Sequence, residues 1–162
     1  MAMNNVVTRV ATMDDYDAIC RLLAQVDRYH FDILPDVFQT FIGPPRAREI
    51  VAAHVEGADA DYIVAECDGE ILGFVNLREQ GYPKFPGYRP SRFAMIENMV
   101  VDEKHRRGGI GTKLLLAAKD WARDRGLASI QLSVWIANEP AVSLYGKLGF
   151  QPIVERMEYR LQ

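Results

Sequence analysis

The sequence predicts an α/β (α+β) fold in which a mixed, mostly antiparallel sheet carries helices on both faces. Three observations lead to this class. Two apolar runs flank Asp68 and Gly69, a pair typical of a hairpin turn; an apolar stripe at helical spacing runs through residues 110–125; and strand-like runs stand on both sides of that stripe. The strand–helix–strand unit over residues 93–135 requires a right-handed crossover and near-parallel strands, which makes the sheet mixed.

Length and composition favour one ordinary globular domain over residues 1–162. A chain of 162 residues can bury one sizeable core. Hydrophobic residues make up 49% of the chain and charged residues 25%, as in average soluble domains. The formal net charge of -3 argues against nucleic-acid binding, which needs a broad basic surface.

Targeting and redox signals are weak in this sequence. No apolar run approaches the about 18 residues that a membrane span needs. Residues 1–5 lack the basic flank and apolar core of a secretory signal. Cys20 and Cys67 lie far apart and form no metal-ligand spacing, so a disulfide is disfavoured. We therefore expect a cytoplasmic protein with no membrane partner.

The first third of the chain predicts one strand and three helices. Residues 6–10 are rich in β-branched side chains and predict a strand. Thr12 and Asp14 offer N-cap oxygens before an apolar stripe, which predicts a helix over residues 14–29. A second helical stretch is expected over residues 36–41. A third begins after Pro44 and Pro45 and reaches Gly57, because proline is typical of a first helical turn.

The middle of the chain predicts a hairpin and a long loop. Residues 61–66 and 70–77 form the two strands around Asp68 and Gly69. The loop over residues 81–90 contains three prolines, two glycines and three aromatic residues. It is either a surface turn whose rings pack on the core or a lid over a substrate site.

The last part of the chain predicts alternating strands and helices. Residues 93–101 form a fourth strand, and residues 110–125 form a long amphipathic helix with Gly126 as its C-cap. A strand over residues 129–135 follows, then a short helix over residues 139–148 that Gly149 ends. Residues 150–161 predict a last strand with some polar alternation.

A glycine-rich turn stands where the long helix begins. Gly109 and Gly111 lack side chains that would block a ligand, and the first amides of a helix have no intrahelical partners. The helix dipole and the basic side chains of Lys104, Arg106 and Arg107 add positive charge. The turn therefore predicts a phosphate site, although its spacing matches neither the Walker nor the dinucleotide-binding pattern. A purely structural turn is the alternative.

Two segments closely resemble the signatures of the GNAT (Gcn5-related) N-acetyltransferase superfamily. Arg106, Gly109 and Gly111 match the acetyl-CoA signature Arg/Gln-x-x-Gly-x-Gly/Ala. Residues 138–150 match the second signature, Asn-x-x-Ala-x-x-Leu-Tyr-x-x-x-Gly-Phe. Individual residues match the family signatures over residues 96–150, whereas before residue 96 only the order of strands and helices is similar. The resemblance implies one acetyl-CoA-dependent N-acetyltransferase domain, whose sheet contains a splayed, near-parallel central strand pair.

The resemblance also implies acetyl-CoA as co-substrate and no metal. The amides of the glycine turn would hold the pyrophosphate, and main-chain groups of the preceding strand would pair with the pantetheine arm. The implied cofactor-binding residues are Met99, Val100, Val101, Arg106, Arg107, Gly108, Gly109, Ile110, Gly111, Thr112 and Asn138. For Asn138, capping of the helix that starts at Glu139 is an alternative role. No His, Cys, Asp and Glu residues have metal-ligand spacing.

Two residues are candidates for catalysis. Tyr145 lies at the family's general-acid position, where its phenol would donate a proton to the departing thiolate; a packed core tyrosine is the alternative. Glu97 is the candidate base, acting through water. Strand alternation places it on one face with Phe93, Met95, Met99 and Val101.

Such apolar neighbours would desolvate the Glu97 carboxylate and raise its pKa toward the range of a useful base. A bulge in the strand would change this alternation, and recognition of a substrate ammonium or simple surface exposure are alternative roles for Glu97. His30, His54 and His105 are expected to be structural.

The acceptor is expected to be a small-molecule or peptide amine. Acidic and aromatic groups in the first helices and the 81–90 loop would suit a cationic amine, although packing is the alternative. These residues are Asp27, Tyr29, His30, Phe31, Asp32, Asp36, Tyr82, Phe85, Tyr88 and Arg89. Members of the family often form dimers, so a homodimer is one expected state. A non-catalytic acyl-CoA-binding sensor and a nucleotide-binding regulator are the alternative functions.

Overall fold

The computed structural model describes residues 5–161 and contains one five-stranded sheet in the order β1-β2-β3-β4-β5. The strands are β1 (Val7–Val10), β2 (Ala60–Cys67), β3 (Glu70–Gly81), β4 (Arg92–Val101) and β5 (Ile130–Leu132). Strands β1 to β4 pair antiparallel, and β4 and β5 pair parallel. The predicted mixed, mostly antiparallel sheet is confirmed. Residues 1–4, on which the expectation about a secretory signal largely rests, lie outside the described residues.

Helices cover both faces of the sheet, as predicted. They are α1 (Tyr16–Ile33), α2 (Arg48–Val55), α3 (Ile110–Asp124) and α4 (Glu139–Lys147). On one face, Ile19, Leu22 and Leu23 of α1 and Val51 of α2 pack on Tyr62, Val64 and Phe74. On the other face, Leu114, Leu115, Ala118 and Trp121 of α3 pack on Ile63, Val75, Leu77 and Ile96. Burial of these apolar stripes holds the layers together.

Local turn chemistry explains why several predicted boundaries are correct. Asp68 and Gly69 both have positive φ, 50° and 82°, as the type I′ hairpin between β2 and β3 requires. Thr12 accepts a hydrogen bond from the amide of Asp14 and caps the short 3-10 turn that leads into α1. Gly126 has φ 64° directly after the last turn of α3.

Two predicted elements are absent from the part of the chain that the structure covers. Residues 36–41, predicted as a helix, form only a turn followed by irregular chain, because so short a segment makes too few hydrogen bonds to offset helix nucleation. Residues 150–161, predicted as a strand, have no strand partner and are exposed from Gln151 onward. The strand predicted over residues 129–135 is present but limited to Ile130–Leu132.

No helix within residues 5–161 combines the length and the apolar character needed to cross a bilayer. Cys20 is buried, Cys67 is partly exposed, and both are free thiols. Among the same residues, no group of three His, Cys, Asp or Glu side chains is placed to hold a metal ion.

Candidate functional site

The glycine turn, residues 106–111, presents a row of backbone amides. Asp102 caps the 3-10 turn Glu103–His105 by accepting from the amide of Lys104 at 3.0 Å. Arg107 and Gly109 then adopt left-handed conformations, with φ 65° and 82°. Gly109 is the N-cap of α3 and has no side chain to satisfy the first helical amides. None of the amides from Arg107 to Thr112 donates to another of the described residues. These N–H groups are therefore available to an anion.

Three elements meet at this turn. A Cβ atom added to Gly111 would lie 3.9 Å from Leu144 of α4 and 3.9 Å from Val101 of β4. Lys104, Arg106 and Arg107 are exposed there. The Arg106 Nε donates to the Val101 carbonyl oxygen at 3.3 Å. The turn thus lies beside the C-terminal end of β4 and the side of α4 that carries Leu144.

Strands β4 and β5 separate beyond Ile96 and Leu132. Their parallel pairing covers only Ala94–Ile130, Met95–Gln131 and Ile96–Leu132. The Asp102 amide donates to Leu72 of β3, so alternation directs the main-chain groups of Val101 and Met99 away from β3. They face the side of the opening between β4 and β5, where the Val101 carbonyl oxygen also accepts from Arg106, whereas the main chain of Val100 faces β3. Of the three β4 residues that were predicted to bind the cofactor, Met99 and Val101 are therefore better placed than Val100 to bind a ligand through their main chains.

Glu97 lies at a bulge that strand alternation alone did not reveal. Asn76 pairs with Asn98 and Leu77 pairs with Ile96, which leaves Glu97 as the extra residue of β4. The bulge changes the faces: Met99 and Val101 pack on the α3 side, whereas Glu97 contacts His54 of α2. The expectation that Glu97 shares a face with Met99 and Val101 is therefore wrong.

Three side chains hold the Glu97 carboxylate, and we call the four residues the Glu97 cluster. The His54 Nε2 lies 2.8 Å from Oε2, and the Asn76 Nδ2 donates to the same oxygen at 3.1 Å. The Arg78 Nε donates to Oε1 at 3.2 Å. Asn76 also accepts from the Asn98 amide at 2.8 Å, so its side chain bonds both sides of the bulge. The cluster fixes the orientation of the carboxylate.

The electrostatics of the cluster reverse the expected direction of the Glu97 pKa. Burial alone raises the pKa of this carboxyl group, but hydrogen bonds and charge from His54 and Arg78 outweigh it and lower the pKa below its usual value. The carboxylate is therefore ionised at neutral pH. Its side chain is 30% exposed, so a small molecule can reach it from solvent.

His54 was expected to be structural, and its direct contact with Glu97 was missed. It is buried, and its Nδ1 lies 2.9 Å from the Ile50 carbonyl oxygen. A carbonyl only accepts, so Nδ1 carries a hydrogen and Nε2 faces both Glu97 and Arg78. The sequence did contain a signal for this contact. His54 comes three residues after Val51, so both lie on one face of the helix, and both are buried. A polar side chain buried on an apolar face requires a hydrogen-bonding partner.

Tyr145 and Asn138 lie at the two ends of α4. The Tyr145 ring packs edge-on against Phe150 at 5.5 Å, and burial raises the pKa of its phenol to about 12. The Asn138 Oδ1 accepts from the Ala141 amide at 3.3 Å, so the helix-capping role is present. A contact of Asn138 with a cofactor stays a prediction. Glu97 faces α2 on one side of the sheet, whereas Phe150 belongs to the α3 side.

Two groups of the residues expected to receive an amine contact β5 or the chain just after it. His30 in the last turn of α1 stacks at 5.0 Å on Phe38 of the following segment, and Phe38 meets Trp135 edge-on at 5.8 Å. In the 81–90 loop, Tyr82 packs on Phe93 at 5.3 Å, and its hydroxyl accepts from Gln131 at 3.1 Å. Tyr82 thus packs on the sheet as in the surface-turn alternative.

Other rings of this loop remain exposed: Phe85 is 64% exposed and Tyr88 is 52% exposed. Two of the acidic candidates already have basic neighbours within the chain. Asp27 lies 3.5 Å from Arg46, and Asp36 lies 3.7 Å from Arg160. Of the predicted acceptor residues, Tyr82 contacts β5 through Gln131, and His30, Asp27 and Asp36 are used in internal contacts.

Comparison with known proteins agrees with this geometry. Residues 28–150 match the acetyltransferase (GNAT) family. The chain is 33% identical over 103 residues to an N-alpha-acetyltransferase of Sulfurisphaera tokodaii, covering 62% of each protein. It is 44% identical over 106 residues to a streptothricin acetyltransferase of Escherichia coli, covering 65% of this chain and 56% of that one. The chain thus spans less than two thirds of the length of these curated relatives.

A solved structure is similar over almost the whole chain. A mutant of the BH1408 protein from Bacillus halodurans superposes with a TM-score of 0.91 at 26% sequence identity. The superposition covers 96% of this chain and 99% of that one. The order of strands and helices described above is therefore also that of an experimentally determined fold.

Proposed function

Because the chain belongs to the acetyltransferase (GNAT) family, we propose that residues 1–162 form one domain that transfers an acetyl group from acetyl-CoA to a primary amine. The observation that carries this proposal is the pairing of two features at one place. Unbonded amides of the glycine turn lie beside the opening between β4 and β5. A diphosphate fits the first feature, and an extended amide-containing arm fits the second.

The donor site is built mainly from backbone. The amides of Arg107 to Thr112, strengthened by the dipole of α3, would hold the diphosphate, with Arg106 and Arg107 adding charge. Main-chain groups of Met99 and Val101 would pair with the pantetheine arm, and the side chain of Asn138, the N-cap of α4, would bond the same arm. Bound acetyl-CoA supplies a thioester as the source of the acetyl group. The chain's own residues then have to orient the amine and move two protons.

Glu97 is the proposed base. An ammonium has no lone pair, so the amine must lose a proton before it attacks. The Glu97 carboxylate is ionised and partly exposed, Asn76 and Arg78 donate hydrogen bonds to it, and the His54 Nε2 lies 2.8 Å from it, so it can accept that proton through a water molecule. Because its pKa is lowered, Glu97 is a weak base, and we assign to His54 and Arg78 the role of fixing its position. In this proposal the same carboxylate also attracts the incoming ammonium.

Tyr145 is the proposed acid. With a pKa of about 12 the phenol stays protonated at neutral pH and can donate to a departing thiolate. Its hydroxyl hydrogen-bonds to nothing else within residues 5–161, so the proton is not committed to a structural contact. Glu97 lies on the α2 side of the sheet, and Phe150, the ring that Tyr145 packs against, lies on the α3 side. That arrangement lets one residue serve the amine and the other serve the leaving group.

The proposed acceptor is a small-molecule or peptide amine. Two relatives carry names that state acetylation of an α-amino group and of streptothricin. The aromatic and acidic residues around β5 are suited to a cationic amine in either class of molecule.

Thermal stability with ligands tests the donor site first. Acetyl-CoA is expected to raise the Tm of the protein by several degrees, and ATP at the same concentration is expected to raise it much less. An equal effect of ATP would favour the nucleotide-binding alternative. No effect of either compound would remove the donor site from the turn.

An amine panel with detection of released CoA thiol tests the reaction. The panel contains polyamines, aminoglycosides, streptothricin, amino acids and peptides with free N-termini. Release of CoA together with a mass gain of one acetyl group on an amine is the expected result. Binding of acetyl-CoA without turnover on any amine would favour a sensor over an enzyme.

A further inference from the structure

A buried carboxamide on β3 lies where the two halves of the proposed site meet. Asn76 is 1% exposed, and it pairs with Asn98 of β4 directly beside the extra residue, Glu97. Its Oδ1 accepts from the Asn98 amide at 2.8 Å, and its Nδ2 donates to the Glu97 Oε2 at 3.1 Å. One side chain therefore bonds both the β4 backbone after the bulge and the proposed base within it.

The partners of Asn76 set the orientation of its carboxamide. A backbone N–H only donates, so the atom that faces the Asn98 amide is the oxygen. An ionised carboxylate only accepts, so the atom that faces Glu97 is the nitrogen. Among side chains of this length, only asparagine carries an acceptor and a donor on the same carbon atom. Aspartate would supply two acceptors, and leucine would supply neither group.

Before the bulge, the even-numbered residues of β4 direct their main-chain groups toward β5. The Ala94 amide donates to the carbonyl oxygen of Ser129, just before β5, at 2.9 Å. In a regular strand, alternation would continue this direction through Ile96 to Asn98 and Val100. The odd-numbered residues would then face β3 along the whole strand.

After the bulge this direction is reversed. The Asp102 amide donates to the Leu72 carbonyl oxygen of β3 at 2.8 Å, so the even-numbered residues now face β3. The extra residue has shifted the alternation by one position. Because of this shift, the main-chain groups of Met99 and Val101 take the side of the opening between β4 and β5. These are the groups that we propose to pair with the pantetheine arm.

The bulge requires a hydrogen-bond acceptor that the regular ladder does not supply. An extra residue interrupts the ladder, so an amide of the bulged strand needs a partner from elsewhere. The Asn76 Oδ1 is such a partner, on a side chain that solvent does not reach. Within residues 5–161, His54 and Arg78 also contact the Glu97 carboxylate but make no hydrogen bond to the β4 backbone. Asn76 alone of these three side chains joins the carboxylate to the strand.

We propose that Asn76 is a positioning residue that couples the donor half of the site to the acceptor half. Its Oδ1 holds the bulge that directs Met99 and Val101 toward the donor, and its Nδ2 holds the Glu97 carboxylate toward the amine. In this role Asn76 contacts neither substrate, because it acts through the β4 backbone and through Glu97. The inference rests on the proposed acetyl transfer, since it assigns an effect on both substrates to one side chain.

Two substitutions separate the two hydrogen bonds of Asn76. Asn76→Leu removes both, and we expect the Kd for acetyl-CoA to rise about ten-fold and kcat/KM for the amine to fall about 100-fold. Asn76→Ala, which adds no bulk, should give the same pattern. Asn76→Asp keeps an oxygen toward the Asn98 amide, so the acetyl-CoA Kd should stay within about two-fold. Its kcat/KM should still fall about 100-fold, because two carboxylates this close share a proton and Glu97 no longer accepts one.

Amide hydrogen exchange, followed by NMR, tests the bulge without any substrate. The Asn98 amide should exchange slowly in the unaltered protein, because it is hydrogen-bonded to Asn76. In Asn76→Leu, its exchange should accelerate about ten-fold or more relative to that of the Val100 amide, whose main chain faces β3. In Asn76→Asp this ratio should stay as in the unaltered protein. An unchanged ratio in Asn76→Leu would overturn the role of Oδ1.

Val64→Ala is the matched control for loss of stability alone. Val64 is a fully buried residue of β2 in the core on the α2 side. Its truncation should lower the urea midpoint and leave the acetyl-CoA Kd, kcat/KM and the exchange ratio unchanged.

Two kinetic results would overturn the coupling. One is an Asn76→Leu protein that binds acetyl-CoA and acetylates the amine as the unaltered protein does. The other is an Asn76→Asp protein that loses as much acetyl-CoA affinity as Asn76→Leu. If the unaltered protein itself neither binds acetyl-CoA nor releases CoA, the proposed function fails instead, and the exchange ratio still decides whether Asn76 holds the bulge.

Discussion

At the scale of single residues, a substitution of Tyr145 tests the chemical step separately from cofactor binding. We expect Tyr145→Phe to lower kcat by about 100-fold or more, in the range that a general acid contributes. The Kd for acetyl-CoA should stay within about two-fold, because phenylalanine keeps the edge-on contact with Phe150 and removes one hydroxyl. Initial-rate kinetics with thiol detection and calorimetric titration of acetyl-CoA measure the two quantities. An unchanged kcat would remove the acid role from Tyr145.

Glu97 gives the corresponding prediction for the base. Glu97→Gln keeps a similar shape and removes the negative charge, and we expect it to lower kcat/KM by about 100-fold. The matched control is Glu79→Gln on β3, another ion-paired glutamate, which bonds Arg92 and not the cluster; it should retain most of the activity.

The pH dependence adds an independent readout for Glu97. Its pKa lies below the usual value, so this carboxylate stays ionised through pH 5 and above. The fall of kcat/KM on acidification from pH 8 to pH 6 should therefore follow protonation of the amine and keep its shape in Glu97→Gln. A Glu97→Gln enzyme as active as the unaltered protein would end the assignment.

The Glu97 cluster shows which part of a site can be predicted from sequence. The position of Glu97 followed from its place before the glycine turn, as the resemblance implied. Its surroundings did not follow, because hydrophobic alternation assumes a regular strand and the bulge at Asn76 and Glu97 breaks that assumption. The direction of the pKa depends on His54, 43 residues away in the chain, and only the folded structure brings the two together.

At the scale of elements, the start of α3 carries the cofactor prediction. We expect Gly109→Val to weaken acetyl-CoA binding by about ten-fold or more, because a branched side chain would crowd the amides that face the diphosphate. The substitution also strains a backbone with φ 82°, at a cost of about 1–2 kcal/mol in stability. Nothing lies within 4 Å of a Cβ built at Gly109, so this strain is the main structural effect.

Gly126→Val is the matched control at the other end of the same helix. Gly126 has φ 64° and also has nothing within 4 Å of a built Cβ. It should lose similar stability in urea denaturation and keep its acetyl-CoA Kd in calorimetric titration. Equal Kd values for the two variants would move the diphosphate away from the turn.

The elements that were predicted correctly share one property: their own sequence contains the reason for their structure. Helix α3 has a continuous apolar stripe, and the β2–β3 hairpin has its turn residues at Asp68 and Gly69. Residues 36–41 contain no apolar stripe long enough to pack a helix, and Val37, Phe38 and Thr40 are weak helix formers. Residues 150–161 have strand alternation only from Arg156 onward, and whether a strand forms depends on a partner edge, which local sequence does not specify.

At the scale of the whole molecule, the separation of β4 and β5 joins the two halves of the proposed site. The bulge at Glu97 follows directly after the last β4–β5 pair, Ile96 and Leu132. Ala94 and Ile96 pack on the α3 side, so alternation already places Glu97 on the α2 side, where it contacts His54. The bulge acts on the residues that follow, because it places Met99 and Val101 on the α3 side.

Asp102 links the α1 side of the molecule to the glycine turn and gives a prediction for acid stability. It is buried; Arg21 donates to it at 2.5 Å, Gln25 at 3.2 Å and the Lys104 amide at 3.0 Å. Burial raises its pKa, but the Lys104 amide, Gln25 and Arg21 outweigh this and lower the pKa from 3.8 to about 2. A lowered pKa stabilises the fold above the unfolded value of 3.8, and this contribution disappears as pH falls through about 2.

The shift corresponds to about 2 kcal/mol of unfolding free energy at neutral pH. We expect Asp102→Asn to lower the free energy of unfolding by about that amount at pH 7 and to reduce the loss of stability between pH 4 and pH 2.5. Urea denaturation followed by circular dichroism across this range measures both effects. The control Asp36→Asn removes an exposed carboxylate whose one ion pair within residues 5–161 is with Arg160, and its stability profile should match that of the unaltered protein. If Asp102→Asn keeps the full acid-dependent slope, other carboxylates destabilise the protein in acid, and the contact between α1 and the turn contributes little.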